Sequence, residues 1–351
     1  MAAPLLAAAA VLGLALLLTS SDVRARATSS NPNAGLTGTV LAGFDDEDRQ
    51  SVTDGKSIAR LLAATGREDV TVAGIIRINV SAERLIAQYR DIVRFESGPS
   101  VSGVGLFSSP AVLADIESLV VPPEDLADLA GCKEGDCKIN LSHAAIRRFK
   151  QEVRWTAPDA ARQATRVMHD VVVQYTRVYQ QRGRDALVTY GHREDAVSLK
   201  ARSADLLRQA RTWLPGLGPV ASYFERYPDE PLPSEAEEFF YWSRMSFGMK
   251  PVIRANHVVI APISISTVRA HVIISQAIYS SHYMPDGLEV RCLLPVDASG
   301  ERLYFISLNL AHIEALSGFR GRLLGPIIRR NIRNSTVRHL QFVKAKVEAA
   351  S

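Results

Sequence analysis

Apolar residues recur at intervals of three and four near the end of the chain: Leu324, Ile328, Ile332, Thr336, Leu340, Val343 and Val347. Leu323 and Ile327 widen the upper part of the stripe. This spacing predicts one long amphipathic helix over 319–350, roughly 45 Å long at the usual rise per residue. Pro326 is expected to kink its first turn or to mark where the uninterrupted helix begins. Ahead of it, 251–310 changes character. Runs at 252–260, 268–279, 287–294 and 303–310 are rich in Ile, Val, Tyr and Phe and are separated by short Pro, Gly and Asp turns. They predict antiparallel neighbouring strands. The alternation in Tyr304, Phe305, Ile306, Ser307 and Leu308 predicts one face on a core.

The earlier chain reads mostly as helix. A β-branched run at 70–80 predicts a strand, and Ser81 then caps a helix turning Leu85, Ile86, Tyr89 and Ile92 inward. A second strand is expected at 104–107. Helices follow at 112–119, 123–129 with Pro at its first position, 142–155, 158–181, 206–213 and 220–227. A Ser-Glu-Ala-Glu sequence predicts a capped helix over 234–243 with an aromatic body of Phe239, Tyr241 and Trp242. The segment 57–64 is expected to be a short helix within a flexible leader spanning 28–66, whose acidic patch is Asp45, Asp46, Glu47 and Asp48.

Charge changes the picture at the C-terminus. The predicted helix carries Arg320, Arg322, Arg329, Arg330, Arg333, Arg338, Lys344 and Lys346 against Glu348 alone. That local balance of +7 exceeds the +4 of the whole 351-residue chain, so the remainder is slightly acidic. Arg322, Arg329, Arg330, Arg333 and Arg338 are therefore candidates for contact with an anionic membrane surface. The bland alternative is a solvated face partly paired with the acidic leader and the acidic helices before residue 132. Aromatic interleaving of the kind that accompanies nucleic-acid binding is missing, and no nucleic-acid partner is expected.

Residues 1–19 are uncharged and dominated by Ala and Leu, with a small-x-small cleavage candidate after Ala27. Residues 1–27 read as a signal peptide for export to a periplasm or the exterior, the alternative being an uncleaved anchor through 1–19. Cys132 and Cys137 flank a tight Lys-Glu-Gly-Asp turn and suit a disulfide, which agrees with an oxidising compartment. A metal site would need further ligands nearby, and none is expected. Cys292 reads as a buried free thiol.

Motifs for nucleophile elbows, zinc proteases, Walker loops or dinucleotide binding do not occur. No cofactor is expected. His257, His271 and His282 fall in or near the meander and, with Tyr279, Tyr283 and Arg291, could line one end of it. Glu235, Glu237 and Glu238 are accounted for as the acidic first turn of the helix expected there.

A strand and helix at 70–94, a meander from 251 and a long terminal helix resemble the helix-grip fold of the START-like superfamily, which includes Bet v 1-like proteins. The fold class expected is α+β: a curved antiparallel sheet packed on a long C-terminal amphipathic helix, with a large, mostly helical insertion at 111–248 between 67–110 and 249–351. The resemblance implies an apolar small molecule or lipid held between sheet and helix, without catalysis. His271, Tyr279, His282, Tyr283, Arg291, Tyr304, Leu324 and Ile328 are the candidates to line such a pocket. The alternatives are a secreted cyclase- or hydrolase-type enzyme working at the His271, His282 and Tyr283 end, or a structural envelope protein with a filled core.

Overall fold

The long strands and the terminal helix form as their patterns predict, and together they make an α+β fold. The computed structural model describes residues 43–246 and 250–350. The signal segment and the first part of the leader lie outside the described residues. All described residues belong to one compact unit, so the helical stretch is an insertion in the same body.

Eight strands form a single sheet. They are β1 (Ile58–Leu62), β2 (Asp69–Ile78), β3 (Val101–Phe107), β6 (Glu237–Met245), β7 (Val252–Ile265), β8 (Val268–Ser280), β9 (Leu288–Pro295) and β10 (Leu303–His312). A separate two-stranded ribbon pairs β4 (Thr189–Tyr190) with β5 (Val197–Ser198). The order in the large sheet is β1-β2-β10-β9-β8-β7-β6-β3, with every pairing antiparallel. The β7–β8 hairpin turns through Ser266 and Thr267, with Ser266 at φ 54°, the left-handed backbone that lets a two-residue turn follow the strand twist.

Both faces of this sheet are covered. On one, Ile76, Ile78, Val258, Ile260, Ile273, Leu293 and Phe305 meet α2 (Ala82–Arg90), α3 (Ile92–Glu96) and the terminal helix α9 (Gly318–Ala349). On the other, Ile75, Val259, Val272, Ile274, Val290, Ile306 and Leu308 meet the insertion. The insertion comprises α4 (Pro123–Gly131), α5 (His143–Glu152), α6 (Ala160–Arg182), α7 (Leu199–Trp213) and α8 (Gly218–Arg226). The alternation around Phe305 reports only half of this. Neighbouring residues go to opposite cores, so β7 and β8 are buried almost throughout.

Four expectations change. Residues 234–243 are not a helix: β6 sends Tyr241 to one core and Phe240 and Trp242 to the other, an alternation hidden when both faces are apolar. Glu235 sits at φ 61° in the turn before β6 rather than in a helical cap. Residues 58–62 form edge strand β1 instead of a helix, paired with β2. The acidic patch folds as α1 (Asp46–Thr53), where buried Asp48 takes two hydrogen bonds from Arg60 at 2.6 and 2.8 Å. Finally, 112–119 contains only a single 3₁₀ turn, Leu113–Ile116. Asp115 fixes it by accepting from the backbone N–H groups of Ser108 and Val112.

Helix α9 lies on β2 at Gly74, where a Cβ would come within 2.8 Å of both Leu340 Cδ1 and Thr336 Cγ2. Thr336, Leu340, Val343 and Val347 are buried there. Gly74→Val should therefore lower unfolding stability by about 1–3 kcal/mol through overpacking, read as a lower midpoint in urea. An unchanged midpoint would mean that α9 does not seat on β2 at this point.

Candidate anionic-surface site on the C-terminal helix

The sheet separates the residues expected to line an internal pocket. Arg291 lies on the α9 face, buried, where it donates to Tyr89 Oη at 2.7 Å, Glu289 at 2.9 Å and Glu96 at 3.1 Å. Its guanidinium carbon stands 5.2 Å from the Tyr89 ring centre, a cation–π arrangement. Burial alone would raise the Glu289 carboxyl, but Arg291 and Arg254 hold it below its ordinary range. Tyr279 and Tyr304 belong to the opposite core. His282, in the β8–β9 loop, is pinned between the Lys138 carbonyl at 3.0 Å and buried Asp125 at 2.9 Å. Tyr283 in the same loop adopts φ 58°, and its hydroxyl accepts from the Lys250 N–H at 3.2 Å. His271 is half-buried on β8, and that burial lowers its pKa. These side chains do not meet in one pocket. Where sheet and α9 face each other, the space holds Phe305, Ile76 and Leu293.

His257, expected with the other two histidines at one end of the meander, is instead fully buried. Phe240, Tyr227 and Phe224 surround it with ring centres 4.4, 4.7 and 4.8 Å away. Its Nε2 lies 2.8 Å from Glu238 Oε2 and its Nδ1 lies 3.1 Å from Tyr179 Oη. Burial lowers its pKa, and Glu238 only partly offsets this. A neutral ring satisfies both contacts, Nε2–H donating to the carboxylate and Nδ1 accepting from the tyrosine. The unit ties α6 and α8 to the sheet.

The basic residues divide along α9. Near its C-terminus two are used internally: Lys344 donates to the Arg77 carbonyl and to Glu348, and Lys346 to the carbonyls of Phe95 and Ser97. In its N-terminal half, Arg322, Arg329, Arg330 and Arg333 line a groove of about 790 Å³ together with Arg67, Leu61 and Leu316. Gly321, Gly325 and Pro326 complete the lining. Arg329 donates to the carbonyls of Arg67 at 2.6 Å and Asp69 at 3.2 Å, which fixes the turn before β2 as the opposite wall. Arg338 is exposed on the same helix, beyond the groove lining. The acidic patch pairs with Arg60 and Arg49, and Asp128 of α4 pairs with Lys138 and Lys250. Among the described residues, no side-chain ion pair reaches Arg322, Arg330 or Arg333.

Beside the arginines lies an exposed apolar stripe that includes Leu323, Leu324 and Ile327 of the helical pattern together with Phe319. Phe319, Leu323 and Ile327, each four residues after the last, are 73%, 64% and 57% exposed, and Leu324 is 49% exposed. Ile328 is half-buried with Val70, Ile313 and Leu316. The sequence signal for this second stripe was the i, i+4, i+8 spacing of Phe319, Leu323 and Ile327, offset from the buried series. Arg67 carried no such signal, since its place in the groove depends on the β1–β2 turn.

The origin of α9 is also anchored. Glu314, in the 3₁₀ turn ahead of it, accepts from Arg193 at 3.0 Å and lies 3.1 Å from His192 Nε2. The His192 carbonyl in turn accepts from the N–H of Cys137, which is disulfide-bonded to Cys132. Cys292 is a buried free thiol, its pKa pushed up to about 12 by burial.

The His257 site sets a pH dependence. In the unfolded chain a histidine takes up a proton near about pH 6.5, whereas the folded state resists doing so at His257, His271 and His339. Stability is therefore fully present above about pH 6.5 and falls as pH drops through that value. His257→Gln should flatten the decline measured by urea titration across that window. A slope as steep as the parent's would place the titration elsewhere.

No known family model, curated protein or solved structure matches this chain.

Proposed function

We propose that the protein is a non-catalytic, peripheral binder of anionic phospholipid surfaces, docking through the N-terminal half of α9. One observation carries this reading: an exposed apolar stripe of Phe319, Leu323 and Ile327 beside a groove lined by five arginines. A bilayer interface offers hydrocarbon for the stripe and phosphate for the guanidinium groups, a pairing characteristic of interfacial helices. A second copy of the chain would answer the apolar stripe but bring the same positive charge to the groove. The lipid in this reading lies outside the fold, against the surface of α9. Among the described residues no helix is long and apolar enough to cross a membrane. The Cys132–Cys137 disulfide supports placing the protein in an oxidising compartment after export.

Flotation or sedimentation with phosphatidylcholine vesicles, with and without phosphatidylglycerol, tests the proposal. Binding should require the anionic lipid and weaken with salt. At about 1 kcal/mol per basic residue near the surface, the triple variant Arg322→Gln, Arg330→Gln, Arg333→Gln should bind roughly a hundredfold more weakly. Arg329 is spared because it supports the turn at Arg67. Phe319→Ser with Leu323→Ser should weaken binding at every salt concentration. Equal binding to neutral and anionic vesicles, or self-association abolished by the serine pair without any lipid binding, would reject it.

A further inference from the structure

A second cleft, of about 480 Å³, shares only Arg67 with the arginine groove. Its walls are the 66–69 turn, one side of α7 carrying Arg202, Asp205, Leu206 and Gln209, Asp286 from the β8–β9 loop, and His312 at the end of β10. The volume lies within the range of metabolite sites. Most of its carboxylates already have protein partners. Glu68 and Asp69 hold the His312 ring at 2.6 and 3.0 Å, Asp69 also accepts from Thr65 at 2.7 Å, and Asp205 is paired with Arg208. Asp286 is 2% exposed, and one of its oxygens accepts from the His312 N–H at 2.9 Å.

The cations differ. Arg202 Nη1 is fully shielded from solvent and has no hydrogen-bond acceptor, although the charge of Arg202 acts favourably on the Asp286 and Glu314 carboxyl groups. Arg67 lines the same cleft and is exposed. A shielded guanidinium N–H without an acceptor is unfavourable, and its planar fork of donors matches carboxylate or phosphate oxygens. With Glu68, Asp69 and Asp205 paired to His312 and Arg208, the unsatisfied Arg202 Nη1 is the group in this cleft that an added oxyanion would complete. We propose that it is a binding site for a small organic oxyanion, a carboxylate or phosphate compound, with Arg202 as its anchor and Arg67 as a second donor. This site is independent of membrane docking.

Inorganic phosphate and citrate serve as probes, titrated into the full chain by calorimetry and followed by thermal unfolding. At least one should bind at millimolar concentration and raise the unfolding temperature, and the stronger probe tells phosphate from carboxylate chemistry. Arg202→Met should weaken that binding by about tenfold or more, the range of a lost charge-assisted contact. Arg330→Gln, in the neighbouring groove, should leave the affinity within about twofold. Should Arg202→Met fail to fold, Arg202→Lys keeps the charge and removes the fork, and weaker binding is again expected. Absence of binding by both probes, full affinity in the folded Arg202 variant, or a loss that follows Arg330→Gln instead would overturn the proposal.

Discussion

Two-sided burial of the eight-stranded sheet is the constraint on which the rest of this protein depends. Strands such as β7 and β8 present apolar residues on both faces, and neither face is stable against water. One face requires α2, α3 and the C-terminal part of α9, and the other requires the whole helical insertion. The insertion is therefore the second wall of the core. This also explains why the interior carries pinned polar groups. Arg291, His257 and His282 all lie where helices meet the sheet, and each is held by carboxylates or carbonyls from a different element. Charged or polar groups so enclosed are tolerable only when partnered.

The same constraint leaves one face of the N-terminal half of α9 exposed. While Thr336, Leu340, Val343 and Val347 are seated on the sheet and Ile328 and Ile332 pack beside Val70, Phe319, Leu323 and Ile327 stay exposed. Apart from Arg329, which holds the turn at Arg67, the groove arginines of α9 are likewise spared the internal work done by Lys344 and Lys346. Along α9, the buried contacts around Leu340 are therefore separate from the exposed residues near Arg330.

Much of this was legible in the sequence. The four meander strands were readable because β-branched runs and tight turns leave few alternatives, and α9 because its stripe is long. The β6 strand was misread because two buried faces erase the period-two signal while Ser234 and Glu237 imitate a helix cap. Strand β1 was misread because Ile-Ala-Arg-Leu-Leu is nearly as well suited to a helix, and only pairing with β2 decides it. The groove arginines of α9 were visible because one helix carries four of them. The cleft at Arg202 was not, because its walls come from residues near 67, 202, 286 and 312 and only the fold brings them together.

The bond between Cys132 and Cys137 reaches further than its short loop suggests. A hydrogen-bonded line runs from Cys137 to residue 192, then to Glu314, and ends at the turn from which α9 departs. The surface that carries the arginines is thus braced at its root by a covalent clasp some 180 residues earlier in the chain, about half its length. A chain still in reducing surroundings would lack that brace. The first turns of α9 are thereby linked, through hydrogen bonds, to a covalent bond that forms under oxidising conditions.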